Sequence, residues 1–120
     1  MIERWEKELR NIAIERFKLK KKKLKKIKIE FKPRSSNRCL GYYLNKTIFI
    51  NKAIYELSGE KYYYVFRHEY GHFLTSILFK NVYPHGKEWK YVMRVLGDDK
   101  PRATTTLFSK EIKQAFKLKR

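Results

Sequence analysis

Hydrophobic positions at steps of three and four open the chain. Ile2, Trp5, Leu9, Ile12 and Leu19, flanked by Ala13 and Phe17, predict an amphipathic helix that ends near the lysine run beginning at Lys20. From Ile27 the period changes to two, so that Ile27, Ile29 and Phe31 share one face of a strand that Pro33 ends. Residues 34–38 are a polar loop. Residues 39–44 and 47–50 read as two further strands joined at Asn45-Lys46, a hairpin turn without the Asn-Gly pair that most strongly signals one. Residues 52–57 fit a short helix, with Ser58-Gly59 breaking it before the next.

That next helix, over about residues 60–79, carries Phe66, Tyr70, Phe73, Leu74 and Ile77 on one stripe, the signature of a helix packed on a core. A loop over 81–84 leads to a last clear helix at 86–96, with Trp89, Val92, Met93 and Leu96 inward and Gly97 as its stop. Beyond Pro101 the pattern weakens, and Ile112, Ala115 and Phe116 fit either one more basic helix or a mobile tail. Helices and a few strands in this order predict an α+β chain, and 120 residues suffice for one domain.

The chemistry stands on the central helix. His68-Glu69-Tyr70-Gly71-His72 matches H-E-x-x-H, and residues four apart on a helix lie one above the other, so both imidazoles can point at one ion. Zinc suits neutral imidazole in tetrahedral geometry. Glu69, beside the first histidine, is placed to take a proton from water that the metal has made acidic. A catalytic site needs a third protein ligand and one open position. His85 is the only other histidine, and it lies at the mouth of the following helix. The competing reading is an ordinary helix with a solvent-facing or capped histidine pair. The apolar residues on both sides of the motif and the third histidine favour the metal site. Gly71 is costly inside a helix, by about 1 kcal/mol against alanine, which suggests a close approach there by a strand or by the substrate.

Composition adds a partner class and removes others. The chain carries a net charge of +18, which attracts polyanions. The densest run, residues 18–28, includes Lys20, Lys21, Lys22, Lys23, Lys25 and Lys26, and Arg34 and Arg38 follow. These are the candidate nucleic-acid contacts; phosphate contacts of this kind give affinity without sequence selection. The same lysines also suit a solvated surface. Tyr42, Tyr43, Tyr62 and Tyr63 could stack on unpaired bases, although packing between strands accounts for them more simply. Cys39 is the only cysteine, which excludes an internal disulfide and a cysteine zinc ribbon. No apolar run reaches the roughly 20 residues of a membrane span, and the polar first residues are not a signal peptide. The expected location is intracellular: cytoplasm or nucleoid, or the nucleus in a eukaryote.

Tyr83-Pro84-His85-Gly86-Lys87-Glu88-Trp89-Lys90, followed by Val92-Met93 and Leu96-Gly97, resembles the third-ligand segment of the SprT-like family, to which bacterial SprT and the Spartan-type proteases belong. Asn37-Arg38-Cys39-Leu40-Gly41-Tyr42-Tyr43 and Ile48-Phe49-Ile50-Asn51 resemble that family's strand pair before the active-site helix. The resemblance implies a minimal zincin domain over residues 1–108: an N-terminal helix, a small antiparallel sheet of about three strands, the H-E-x-x-H helix, and a helix opening with the third ligand. Residues 109–120 would be a basic tail or short helix.

It further implies one zinc ion held by His68, His72 and His85, with Glu69 catalytic. The activity would be hydrolysis of peptide bonds in DNA-bound or DNA-crosslinked proteins, with DNA, single-stranded or distorted, as a non-specific partner. Glu88 matches a family position as well, and favouring the helix start by its carboxylate accounts for it. Two other functions remain open on the residues. One is a non-catalytic, zinc-stabilised basic domain that binds nucleic acid. The other is a peptidase dedicated to one acidic partner.

Overall fold

The computed structural model describes residues 1–33, 39–102 and 108–119, with side chains described through residue 114. Helix α1 (Ile2–Phe17) buries Ile2, Trp5, Leu9 and Ala13 and stops where Lys18 takes a left-handed conformation. The helical period thus ends two residues before Leu19. A four-residue helix, α2 (Lys21–Leu24), then anchors the lysine run through a single fully buried side chain, Leu24. Strand β1 (Lys28–Lys32) follows. Strands β2 (Gly41–Leu44) and β3 (Thr47–Asn51) form the expected hairpin. Asn45 and Lys46 both have positive φ, 46° and 61°, as a type I′ turn requires. The Tyr43 hydroxyl accepts from the Lys46 N–H at 3.0 Å, which helps hold a non-glycine residue in that conformation.

The sheet order is β1-β3-β2, and it is mixed, not antiparallel throughout: β1 runs parallel to β3, and β2 antiparallel to it. The strand order follows from composition. Ile48 and Ile50 of β3 are fully buried, so β3 takes the centre. The two edges go to β1, with Lys28, Glu30 and Lys32, and to β2, whose Tyr42 and Leu44 are exposed. The tight turn makes β2 antiparallel to β3, and β1 takes the remaining edge of β3 in the parallel sense.

Asn51 ends β3 and caps helix α3 (Lys52–Ser58), its side-chain oxygen accepting from the Ile54 N–H at 3.2 Å while its amide donates to the Cys39 carbonyl at 2.9 Å. A 3₁₀ turn (Gly59–Tyr62) leads into α4 (Tyr63–Leu78), the central helix. Phe66, Tyr70, Phe73 and Leu74 of the predicted stripe are buried, and Ile77 is half-buried at the core's edge. Helix α5 (Lys87–Val95) buries Trp89, Val92 and Met93. It ends in a Schellman motif: Gly97, at φ 103°, donates to the Arg94 carbonyl and Asp98 to the Met93 carbonyl.

Of the two readings of the C-terminal residues, the helix is observed: α6 (Ser109–Lys119) follows fully buried Phe108 and docks near α3 through the Lys61–Glu111 ion pair at 2.9 Å. Among the described residues, no helix is long and apolar enough to cross a membrane.

Candidate metal centre

Helix α4 places its chemistry by burying the opposite face. With Phe66, Tyr70, Phe73 and Leu74 in the core, His68 and His72 turn toward α5 and a cleft of ≈ 1330 Å³. The third histidine arrives on a tight turn. Gly86 N–H donates to the Tyr83 carbonyl at 3.1 Å, Pro84 presets the first corner, and His85 takes the second at φ 61°. A non-glycine residue at positive φ costs on the order of 1 kcal/mol, and such strain persists where the surroundings fix it. Here Gly86 and α5 follow at once, and the ring is held against Trp89.

The three imidazoles converge. His85 Nε2 lies 3.0 Å from His68 Nε2 and 3.1 Å from His72 Nε2. One nitrogen from each ring fits within a 4.8 Å sphere of mutual distances, so the group could hold a metal ion. Tetrahedral bonds of about 2.0–2.1 Å to one ion put ligand nitrogens about 3.3 Å apart, close to the observed spacing. The donor set therefore fits zinc. Three convergent ring nitrogens without an ion would need alternating tautomers to avoid opposing lone pairs, a constraint that coordination removes.

Electrostatics agree with that chemistry. Burial lowers His68 to about 3 and His72 to about 4, with the neighbouring imidazoles adding to the effect, and burial lowers His85 as well. The rings are therefore neutral at pH 7, the form that ligates metal. Glu69 is 7% exposed, and burial raises its carboxyl to about 8. Its Oε2 is 3.9 Å from His68 Nε2; with the imidazole neutral this contact is not an ion pair. A dication held by the histidines would favour the ionised carboxylate.

The sequence marks Trp89 only as an inward residue, and it does more. Fully buried, it packs against all three imidazoles, with ring centroids 4.8 Å from His68, 5.4 Å from His72 and 4.8 Å from His85. It is the floor on which the triad rests. The only signal in the sequence was its place one helical turn after His85.

Gly71 is explained by the same helix. A Cβ there would collide with Met93 Sδ and stand 3.2 Å from Trp89 Nε1, so the close neighbour is α5, not a strand or a substrate. Glu88 lies in the first turn of α5, where the helix dipole favours a carboxylate.

The basic candidates are placed elsewhere. Lys20, Lys21, Lys22, Lys23, Lys25 and Lys26 are all exposed, and none lines the cleft. They lead into β1, at the sheet edge opposite to β2, which does line it. Arg34 and Arg38 lie outside the described residues. Of the tyrosines considered for base stacking, Tyr62 is fully buried with its hydroxyl donating to the Leu40 carbonyl. Tyr42 is exposed but stacked on Phe49, centroids 4.5 Å apart.

A family model described as the SprT-like family matches residues 5–109. No curated protein and no solved structure matches the chain.

Proposed function

The chain belongs to the SprT-like family, and so is a metallopeptidase-like domain; from that premise we propose that it is a zinc endopeptidase in which His68, His72 and His85 hold one Zn²⁺ and Glu69 is the general base. The observation that carries this reading is the convergence of the three Nε2 atoms with a buried carboxylate beside them, at the wall of an open cleft. A zinc ion bound there supplies Lewis acidity toward water and toward the substrate carbonyl.

The residues of the chain do the rest. Glu69 accepts a proton from the attacking water at its carboxylate and returns it to the leaving amine. Its burial keeps bulk water from competing for that proton. Trp89 fixes the plane of each imidazole, so the ligands are positioned before substrate arrives. β2 is an edge strand lining the cleft, so an extended polypeptide can add to it by backbone pairing.

The net charge of +18 and the exposed lysines from Lys20 to Lys26 support the finer part of the proposal. The substrate is protein held on DNA, with DNA bound without sequence preference. The same charge supports the second reading, a zinc-stabilised basic module that binds nucleic acid and cleaves nothing.

One gel assay separates them. Zinc-loaded protein is incubated with a basic DNA-binding protein, with and without single-stranded DNA, beside Glu69→Gln. The expected result is DNA-dependent fragments whose rate of formation falls roughly 10²–10⁴-fold in the variant while zinc is retained. Equal cleavage by the variant overturns the role of Glu69. No cleavage by protein carrying one zinc leaves the binding module.

A further inference from the structure

The cleft has two unlike ends. Past His72 its walls are neutral, formed by Tyr43, Thr75, Ser76 and Val82. Past His68, toward the start of α4, they are Tyr64, Arg67, Lys100 and Arg102, with Asp98. Helix α5 lies against α4 in the opposite direction: Gly71 faces Trp89 and Met93, and Gly97 lies near Arg67 Nη1. The segment after α5 therefore returns beside the start of α4, and Lys100 and Arg102 line the same cleft as Arg67. Among the described residues, three cations line that end against one carboxylate. Among the described lining residues the only other carboxylate is Glu69.

Arg67 is built in, not draped over the surface. Its side chain is 13% exposed, and its guanidinium lies over two rings, 5.3 Å from the Tyr63 centroid and 5.5 Å from that of Tyr64. Its one carboxylate neighbour, Asp98, is at 3.9 Å, the outer limit of an ion pair. The Tyr63 side chain hydrogen-bonds the Arg67 side chain, and the Arg67 Nε is buried with no acceptor among the described residues. A guanidinium held in one plane, partly desolvated and incompletely paired, is a preorganised receptor for a second carboxylate.

We propose that this end of the cleft is a subsite for an acidic side chain of the substrate, with Arg67 as the recognition group and Lys100 and Arg102 as its cationic rim. The inference rests on the peptidase reading and gives it a specificity: Asp or Glu within two to three residues of the scissile bond. Arg67 precedes His72 by five positions. At about 1.5 Å per helical residue that is about 7.5 Å, which an extended peptide covers in two to three residues of about 3.3 Å. A recessed arginine reaches one side chain. A phosphodiester backbone is met by a run of exposed cations such as the one around α2.

The test reads binding, using zinc-loaded Glu69→Gln protein and two fluorescein-labelled decapeptides that differ only in Glu against Gln at three adjacent positions. The acidic peptide should bind about tenfold tighter at about 0.15 M salt. That ratio should fall toward one in an added Arg67→Met. Because Arg67 also packs on Tyr63 and Tyr64, Lys100→Gln/Arg102→Gln, at two exposed positions, is measured beside it and should reduce the ratio severalfold.

Equal binding of the two peptides overturns the proposal. So does a ratio that persists in both variants, or one that falls equally in Lys7→Gln/Lys90→Gln, where the lost charge is outside the cleft. A single-stranded oligonucleotide that displaces the acidic peptide and weakens in the same cleft variants would assign these cations to nucleic acid instead. Hydrolysis by protein with Glu69 intact is scored separately. If neither peptide is cut with single-stranded DNA present while the binding ratio holds, the peptidase reading fails and the subsite stands.

Discussion

The α4–α5 pair and the lysine segment around α2 are both rich in functional side chains, and they are held in opposite ways. In the first, every candidate group has a neighbour that fixes it. Trp89 lies under the three imidazoles, the Tyr83–Gly86 turn aims His85, and Gly71 lets the helices close. In the second, Leu24 alone is buried, and Lys20 to Lys23, Lys25 and Lys26 stand in solvent. Convergence in a low-dielectric site selects a narrow chemistry. An exposed run of one sign selects only a class of partner. The first region therefore points to one chemistry, and the second only to a class of partner.

The strongest challenge to that contrast is to remove one ligand without disturbing the turn that carries it. His85→Asn serves, because asparagine tolerates positive φ better than other non-glycine residues. Zinc affinity, measured by competition with a chelator, should fall by more than the roughly 10–100-fold that loss of an outer-sphere partner costs. The circular dichroism spectrum should stay unchanged. Retained affinity would remove His85 from the site and with it the three-histidine reading.

Gly71→Ala tests the packing that brings the two helices together. Helix propensity alone favours the substitution by about 1 kcal/mol. The new methyl must displace Met93 Sδ and crowd Trp89 Nε1, and overpacking of this kind costs about 1–3 kcal/mol. A net loss of about 1 kcal/mol in urea unfolding is expected, together with weaker zinc binding, because Trp89 carries the imidazoles. A gain in stability would mean that α5 adjusts freely, and that the floor of the site is softer than its contacts imply.

These contacts also mark what could be read before the structure. Spacing along one helix is a local property, so His68, Glu69 and His72 were legible, as were the buried stripe from Phe66 to Leu74 and the Asn45-Lys46 hairpin. The parallel pairing of β1 with β3 was not, because it depends on which edge of β3 the earlier strand joins and in which direction, a relation between strands and not within one. Trp89 beneath the triad and Met93 against Gly71 were hidden for a similar reason. Each is a meeting of two helices whose relative placement no periodicity encodes. Glu69 could be named from the motif, but its burial comes from the whole fold.

The smallest expected effect lies in the lysine segment and is therefore the most discriminating. Lys21→Gln/Lys22→Gln/Lys23→Gln removes three exposed charges from α2, each change worth at most about 0.5 kcal/mol in stability. If these lysines touch phosphates, the affinity for a single-stranded oligonucleotide should fall severalfold near 0.1 M salt. The slope of log affinity against log salt should become shallower by about 2, since each single-strand contact contributes about 0.7. An unchanged slope would make the run a solvated helix surface and move nucleic-acid binding elsewhere on the molecule. A slope that changes as expected, with zinc binding untouched, would show that this chain keeps its two functions on separate edges of one small sheet, reaction beside β2 and polyanion beside β1.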